Sequence, residues 1–131
     1  MSMPDFWSHL GIAIEPDDGA ETRLGMDVPA ALLSPFGTVH GGVLATLFDT
    51  ALAVAVARQL HPPEDRVATR DLHVTFVAFT RARVLRCRAR LVSLRRRTAV
   101  AEGEVVADDG TLVAKALGTF DVKRAAPASV P

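Results

Sequence analysis

The spacing of apolar positions changes period twice along this 131-residue chain. Phe6, Trp7 and Leu10 recur at helical spacing and stop at Gly11, which predicts a short N-terminal helix laid on the body. Short extended segments are expected around Gly11–Ile14 and Glu21–Val28. Residues 29–42, PAALLSPFGTVHGG, hold two prolines and three glycines and read as an irregular loop. From Gly41 to about Gln59 the chain is apolar nearly all round, with the carboxyl group of Asp49 in its middle. A stretch apolar on every side predicts a buried helix. After His61-Pro62-Pro63 the period drops to two: Leu85, Cys87, Ala89 and Leu91 alternate with Arg86, Arg88 and Arg90. Strands are expected near Arg66–Ala78, Ala82–Ser93, Thr98–Ala107 and Thr111–Lys123, the last two joined by a turn at Asp108-Asp109-Gly110. One long helix followed by four long strands with short connections predicts an α+β fold, an antiparallel sheet curled around that helix. The expected organisation is one domain over residues 1–124 and a disordered tail over 125–131.

Composition is consistent with one self-sufficient core, at 49% hydrophobic and 23% charged residues. No uncharged apolar run reaches the roughly 18–20 residues of a bilayer span. Met1–Leu10 lacks the basic start and apolar stretch of a secretory signal, so a cytoplasmic location is expected, with no membrane partner. The single cysteine, Cys87, agrees with a reducing compartment. Net charge is zero but uneven: residues 1–65 hold two arginines against nine acids, net −7, and residues 66–131 hold thirteen Lys and Arg against six acids, net +7. Eleven of those thirteen are arginine, whose planar fork suits phosphate, so the second half is where an anionic ligand is expected. Nucleic acid is not expected, because the aromatic residues do not interleave with the basic run as a stacking platform requires.

Asp49 is the first candidate for chemistry, since a carboxylate inside an apolar helix is costly unless paired, protonated or used. Just before it, Thr38-Val39-His40-Gly41-Gly42 opens the helix, where free backbone N–H groups and the positive dipole end suit a developing oxyanion. With these residues in place, GTVHGGVLATLFDTA resembles the signature of hotdog-fold acyl-CoA thioesterases of the phenylacetate-pathway type, in the 4-hydroxybenzoyl-CoA thioesterase superfamily. TRDLHVTFVAFTRA resembles the family's strand after the helix and GTFDV its last strand, so the similarity covers about residues 20–123. The resemblance implies a hotdog fold and hydrolysis of acyl or aryl-acyl coenzyme A. It makes Asp49 the catalytic carboxylate, the Gly41 amide the oxyanion donor and Thr69 the hydroxyl that orients water. The family's asparagine six residues before the histidine is here Ser34, which implies that a polar contact near the thioester is weakened or rebuilt.

Gly41 and Asp49 are eight residues apart, about 12 Å of helical rise, too far to serve one carbonyl from one helix. A two-fold pair of antiparallel helices would bring Asp49 of one subunit to Gly41 of the other, so a homodimer or a tetramer built as a dimer of dimers is expected. His40 either touches the thioester or fixes the loop through its own hydrogen bonds. Gly42 allows close approach of the substrate. Arg81, Arg83 and the run Arg95-Arg96-Arg97 lie at strand ends and are candidates for the phosphates of coenzyme A. Phe36, Val43, Leu47, Phe76 and Phe79 are candidates for the acyl pocket. His9, His61 and His73 show no metal-ligand spacing, so no metal is expected, and no cofactor beyond the coenzyme A of the substrate. A hydratase or dehydratase of acyl thioesters, and a non-catalytic acyl-CoA binder, are the competing functions.

Overall fold

A computed structural model describes residues 5–17 and 19–125. Its elements are α1 (Asp5–Leu10), β1 (Ile12–Glu15), β2 (Thr22–Asp27), α2 (Gly41–Ala57), β3 (Arg66–Phe76), β4 (Val84–Leu94), β5 (Thr98–Ala107) and β6 (Leu112–Lys123). Residues 29–40 are irregular, as expected, apart from one 3₁₀ turn over Ala30–Leu32 and a single bridge between Leu33 and Val39, and the last two residues of the expected loop, Gly41 and Gly42, already belong to α2. Of the expected tail only Ala125 falls among the described residues, and its amide donates to Asp65 Oδ1.

All strands form one antiparallel sheet in the order β1-β2-β4-β5-β6-β3. The sheet curls around α2, the hotdog arrangement. Leu44, Leu47, Phe48, Ala51, Leu52 and Ala55 on one side of α2 are buried against Leu24, Leu85, Cys87, Val105 and Phe120 of the sheet. Gly118 on β6 allows this packing: a Cβ there would sit 2.9 Å from the Phe120 ring and 3.0 Å from Leu52 Cδ1. The alternating arginines of β4 face outward, and Arg90 makes a bidentate pair with Glu104 of β5, at 2.9 and 2.8 Å.

The expectation of a helix buried all round is corrected in one respect. Gly42, Ala45, Thr46, Asp49, Ala53 and Ala57 form a stripe that the chain's own sheet leaves uncovered or half-covered. Beside it, β3 pairs with β6 on one edge and has no strand neighbour on the other among the described residues. An 11-residue strand with a free edge and an apolar helix stripe next to it are two halves of one unsatisfied surface. No described helix is long and apolar enough to cross a membrane.

Candidate active site

The start of α2 is capped by an unusual residue. His40 has extended backbone angles (φ −64°, ψ 136°), and its Nδ1 accepts the Gly42 amide at 2.9 Å. Its carbonyl accepts the amides of Val43 and Leu44. Three of the four amides of the first turn are thereby satisfied, and among the described residues no acceptor faces the Gly41 N–H. A helix start with a single free amide is a directed donor for negative charge. The accepting Nδ1 also assigns the ring proton of His40 to Nε2. Gly41 is close to an aromatic neighbour, since a Cβ added to it would lie 3.3 Å from Phe76 Cζ.

Two turns further on, Asp49 stands half-exposed on the open stripe. Thr69 Oγ1 donates to its Oδ1 at 2.6 Å. Thr69 reaches the helix because β3 carries a bulge at Arg70: Thr69 pairs with Phe120 and Asp71 with Thr119, leaving Arg70 the extra residue. Before the bulge the helix-facing positions are Val67 and Thr69, and after it Leu72 and Val74. A bulge shifts the side-chain parity by one and re-aims its neighbours. Simple alternation does not reveal it, because no glycine or proline marks the place.

The remaining candidates separate. Ser34 is committed to its own turn: its Oγ is 2.8 Å from Thr38 Oγ1 and accepts the Phe36 amide at 3.2 Å. Arg83 braces β2, donating from Nε to the Val28 carbonyl at 2.7 Å. Arg81 is exposed and lines a hollow with Phe36, Thr38, Phe79 and Thr80. Arg95, Arg96 and Arg97 lie in the β4–β5 turn, and the Arg97 carbonyl accepts the amide of Val122. Val122 pairs with Val67, nine residues along β3 from the Phe76 that touches Gly41, which is about 30 Å of strand. In one chain these arginines are therefore at the opposite end of the sheet from the Gly41 amide. Of the acyl-pocket candidates, Leu47 is fully buried in the core, Val43 lies on the α1 side of α2, and Phe36, Phe76 and Phe79 lie on the other.

Cys87 points into the core, where burial, with Glu104 nearby, pushes its thiol up to about 12. The thiolate is then scarce at neutral pH, and the residue packs as a small apolar group. Among the described residues no three histidine, cysteine, aspartate or glutamate side chains are grouped to hold a metal.

The chain has counterparts among known proteins. A family model described as the thioesterase superfamily matches residues 36–114, the segment that carries the His40 cap, Asp49 and Thr69. A Halobacterium salinarum protein, provisionally named an esterase, is 36% identical over 127 residues, spanning 89% of this chain and 83% of that one. A crystal structure of a phenylacetic acid degradation-related protein of Ralstonia eutropha, provisionally described as a thioesterase, superposes with a TM-score of 0.84 at 30% identity, covering 92% of each chain. A Bacillus halodurans protein solved with CoA matches with a TM-score of 0.72 at 34% identity, over 76% of this chain and 70% of that one. A thioesterase of Haemophilus influenzae shares the fold, with a TM-score of 0.86 at 24% identity over 95% of this chain and 87% of its own. By the match over residues 36–114, this chain belongs to the thioesterase superfamily.

Proposed function

We propose that the protein is an acyl-CoA thioesterase that hydrolyses an acyl or aryl-acyl coenzyme A to the free acid and coenzyme A. The observation that carries this reading is the pair formed by the unsatisfied Gly41 amide and the Thr69-held carboxylate of Asp49. A thioester needs a hydrogen-bond donor on its oxygen and a base or nucleophile at its carbon, and its thiolate leaves with little acid assistance. Gly41 supplies the first and Asp49 the second. Thr69 keeps one carboxylate oxygen occupied, which leaves the other to attack or to deprotonate water.

The two groups are about 12 Å apart along α2, so each site is completed by a second copy of the chain. Pairing of the free β3 edges in antiparallel fashion covers the open stripe of both helices. It also brings the Arg95–Arg97 end of one copy to the Gly41 end of the other, where with Arg81 it faces the phosphates of coenzyme A.

The hydratase alternative requires a histidine free to exchange protons at the substrate's carbon chain. His40 Nδ1 is engaged by the Gly42 amide, which argues against that role. The test is to mix the protein with aliphatic and aromatic acyl-CoAs and follow the appearance of free thiol. No thiol release from any ester would reject the reading and favour a non-catalytic binder.

A further inference from the structure

Successive residues of the turn into α2 line opposite hollows. Val39 and Gly41 border one of about 350 Å³, walled by Leu44, Phe76 and Phe79. Phe79 and Thr80 connect it to a second hollow of about 500 Å³ that ends at Arg81. His40 and Gly42 border a third, of about 390 Å³, on the other side of the turn. Its walls are Phe6 and Leu10 of α1, Leu33 after the 3₁₀ turn, and Val43 and Thr46 of α2. Each volume lies in the range of small-molecule clefts. Gly41, whose amide has no acceptor among the described residues, lines the first hollow, and its two chain neighbours line the third.

We infer that the hollow between α1 and α2 binds the acyl group of the substrate, and that it takes an uncharged, apolar acyl group. The inference rests on the thioesterase reading above. A thioester whose oxygen is held by the Gly41 amide extends from its carbonyl carbon in two directions, one towards sulfur and one towards the acyl chain. The sulfur arm ends in phosphates, and the Phe79 side is the one that carries a cation, Arg81. Among the described residues the α1 side is lined by no lysine, arginine, aspartate or glutamate. Burying phosphate there would leave charge unpaired in apolar surroundings, whereas an acyl chain buries apolar area at a gain. The hollow also follows Gly42 to Thr46 along the open stripe of α2, in the direction of Asp49. Phe6, 59% exposed in the chain alone, gains a partner when the acyl chain is in place. The short N-terminal helix thus acts as the outer wall that measures the acyl group.

The experiment compares kcat/KM for a ladder of saturated acyl-CoAs from acetyl to decanoyl in the wild type, Val43→Phe, Phe6→Ala and Phe79→Ala. Val43→Phe fills the hollow and should cut the ratio of octanoyl to acetyl turnover at least tenfold. Phe6→Ala, at a position 59% exposed and outside the buried core, should lower the same ratio severalfold by removing the outer wall. Phe79→Ala should raise KM for all esters alike. If the ratio follows Phe79→Ala and ignores both α1-side variants, the acyl group lies on the other side and the inference is wrong. Failure of the wild type to hydrolyse any ester is a separate result, which rejects the thioesterase reading itself and this inference with it.

Discussion

Thr69 Oγ1 lies 2.6 Å from Asp49 Oδ1, joining β3, an edge strand of the sheet, to the middle of α2. The bond depends on the Arg70 bulge, which places Thr69 on the helix-facing side of β3. It occupies one carboxylate oxygen and leaves the other open on the exposed stripe. Asp49→Asn should lower thioester turnover by about 100-fold or more with the fold intact, as expected for loss of a base or nucleophile. Thr69→Ala should cost less, because a positioning hydroxyl assists without making the bond. Steady-state kinetics on both variants decide this, and a larger loss for Thr69→Ala would reverse the roles.

The Gly41 amide can be removed without disturbing the helix. Gly41 is the first helical residue, where proline is tolerated, and His40 already has the extended backbone that a residue before proline requires. Gly41→Pro should therefore fold and lose about 10²–10³-fold in kcat, the magnitude for one oxyanion donor. Gly41→Ala keeps the N–H and introduces the same crowding against Phe76, so it serves as the steric control. Equal losses in the two variants would mean that crowding, and not the amide, was lost.

If the site is shared between copies, Asp49→Asn and Gly41→Pro proteins should complement when refolded together. A mixed dimer has one site with both lesions and one with neither. Random pairing makes half the dimers mixed, so about a quarter of wild-type activity should return. A mixture in which mixed dimers are shown by mass spectrometry yet activity stays at the parental level would place each site within one chain.

Replacing Arg95, Arg96 and Arg97 together by alanine should raise KM for coenzyme A esters far more than for a short thioester without the nucleotide, and the difference should shrink in high salt. Equal effects on the two substrates would make these arginines a solvated face only.

Glu104 offers a test of stability against pH. The Arg90 guanidinium holds its carboxyl below the usual glutamate range. A carboxyl lowered in the folded state stabilises the fold above its ordinary value of about 4.5 and stops doing so as pH falls through the lowered value. Glu104→Gln should melt a few degrees below wild type at pH 7, and the two should converge as pH is lowered below 4.5 and through the lowered value. The pair is partly exposed, so the difference should also narrow with added salt.

Much of this architecture was legible in the order of residues. The apolar run ahead of Pro62-Pro63 marks α2, and the alternation of Leu85, Cys87 and Ala89 with arginine marks β4 and its inward face, because helix and strand impose periods that a buried surface must obey. The Thr38–Gly42 motif and Asp49 stood out because glycines at a helix start and a carboxylate among apolar residues each carry a cost that function can explain. Other features were decided by tertiary structure alone. That Thr69 faces Asp49 follows from a bulge set by how β3 registers with β6, and the sequence carries no glycine or proline that would fix where the register slips. That Gly41 holds the one first-turn amide of α2 without an acceptor among the described residues depends on a side-chain rotamer of His40, which takes up the Gly42 amide. That Arg83 braces β2, while Arg95–Arg97 lie at the opposite end of the sheet from the Gly41 turn, depends on strand order and length, which bring distant segments together or hold them apart irrespective of their charge.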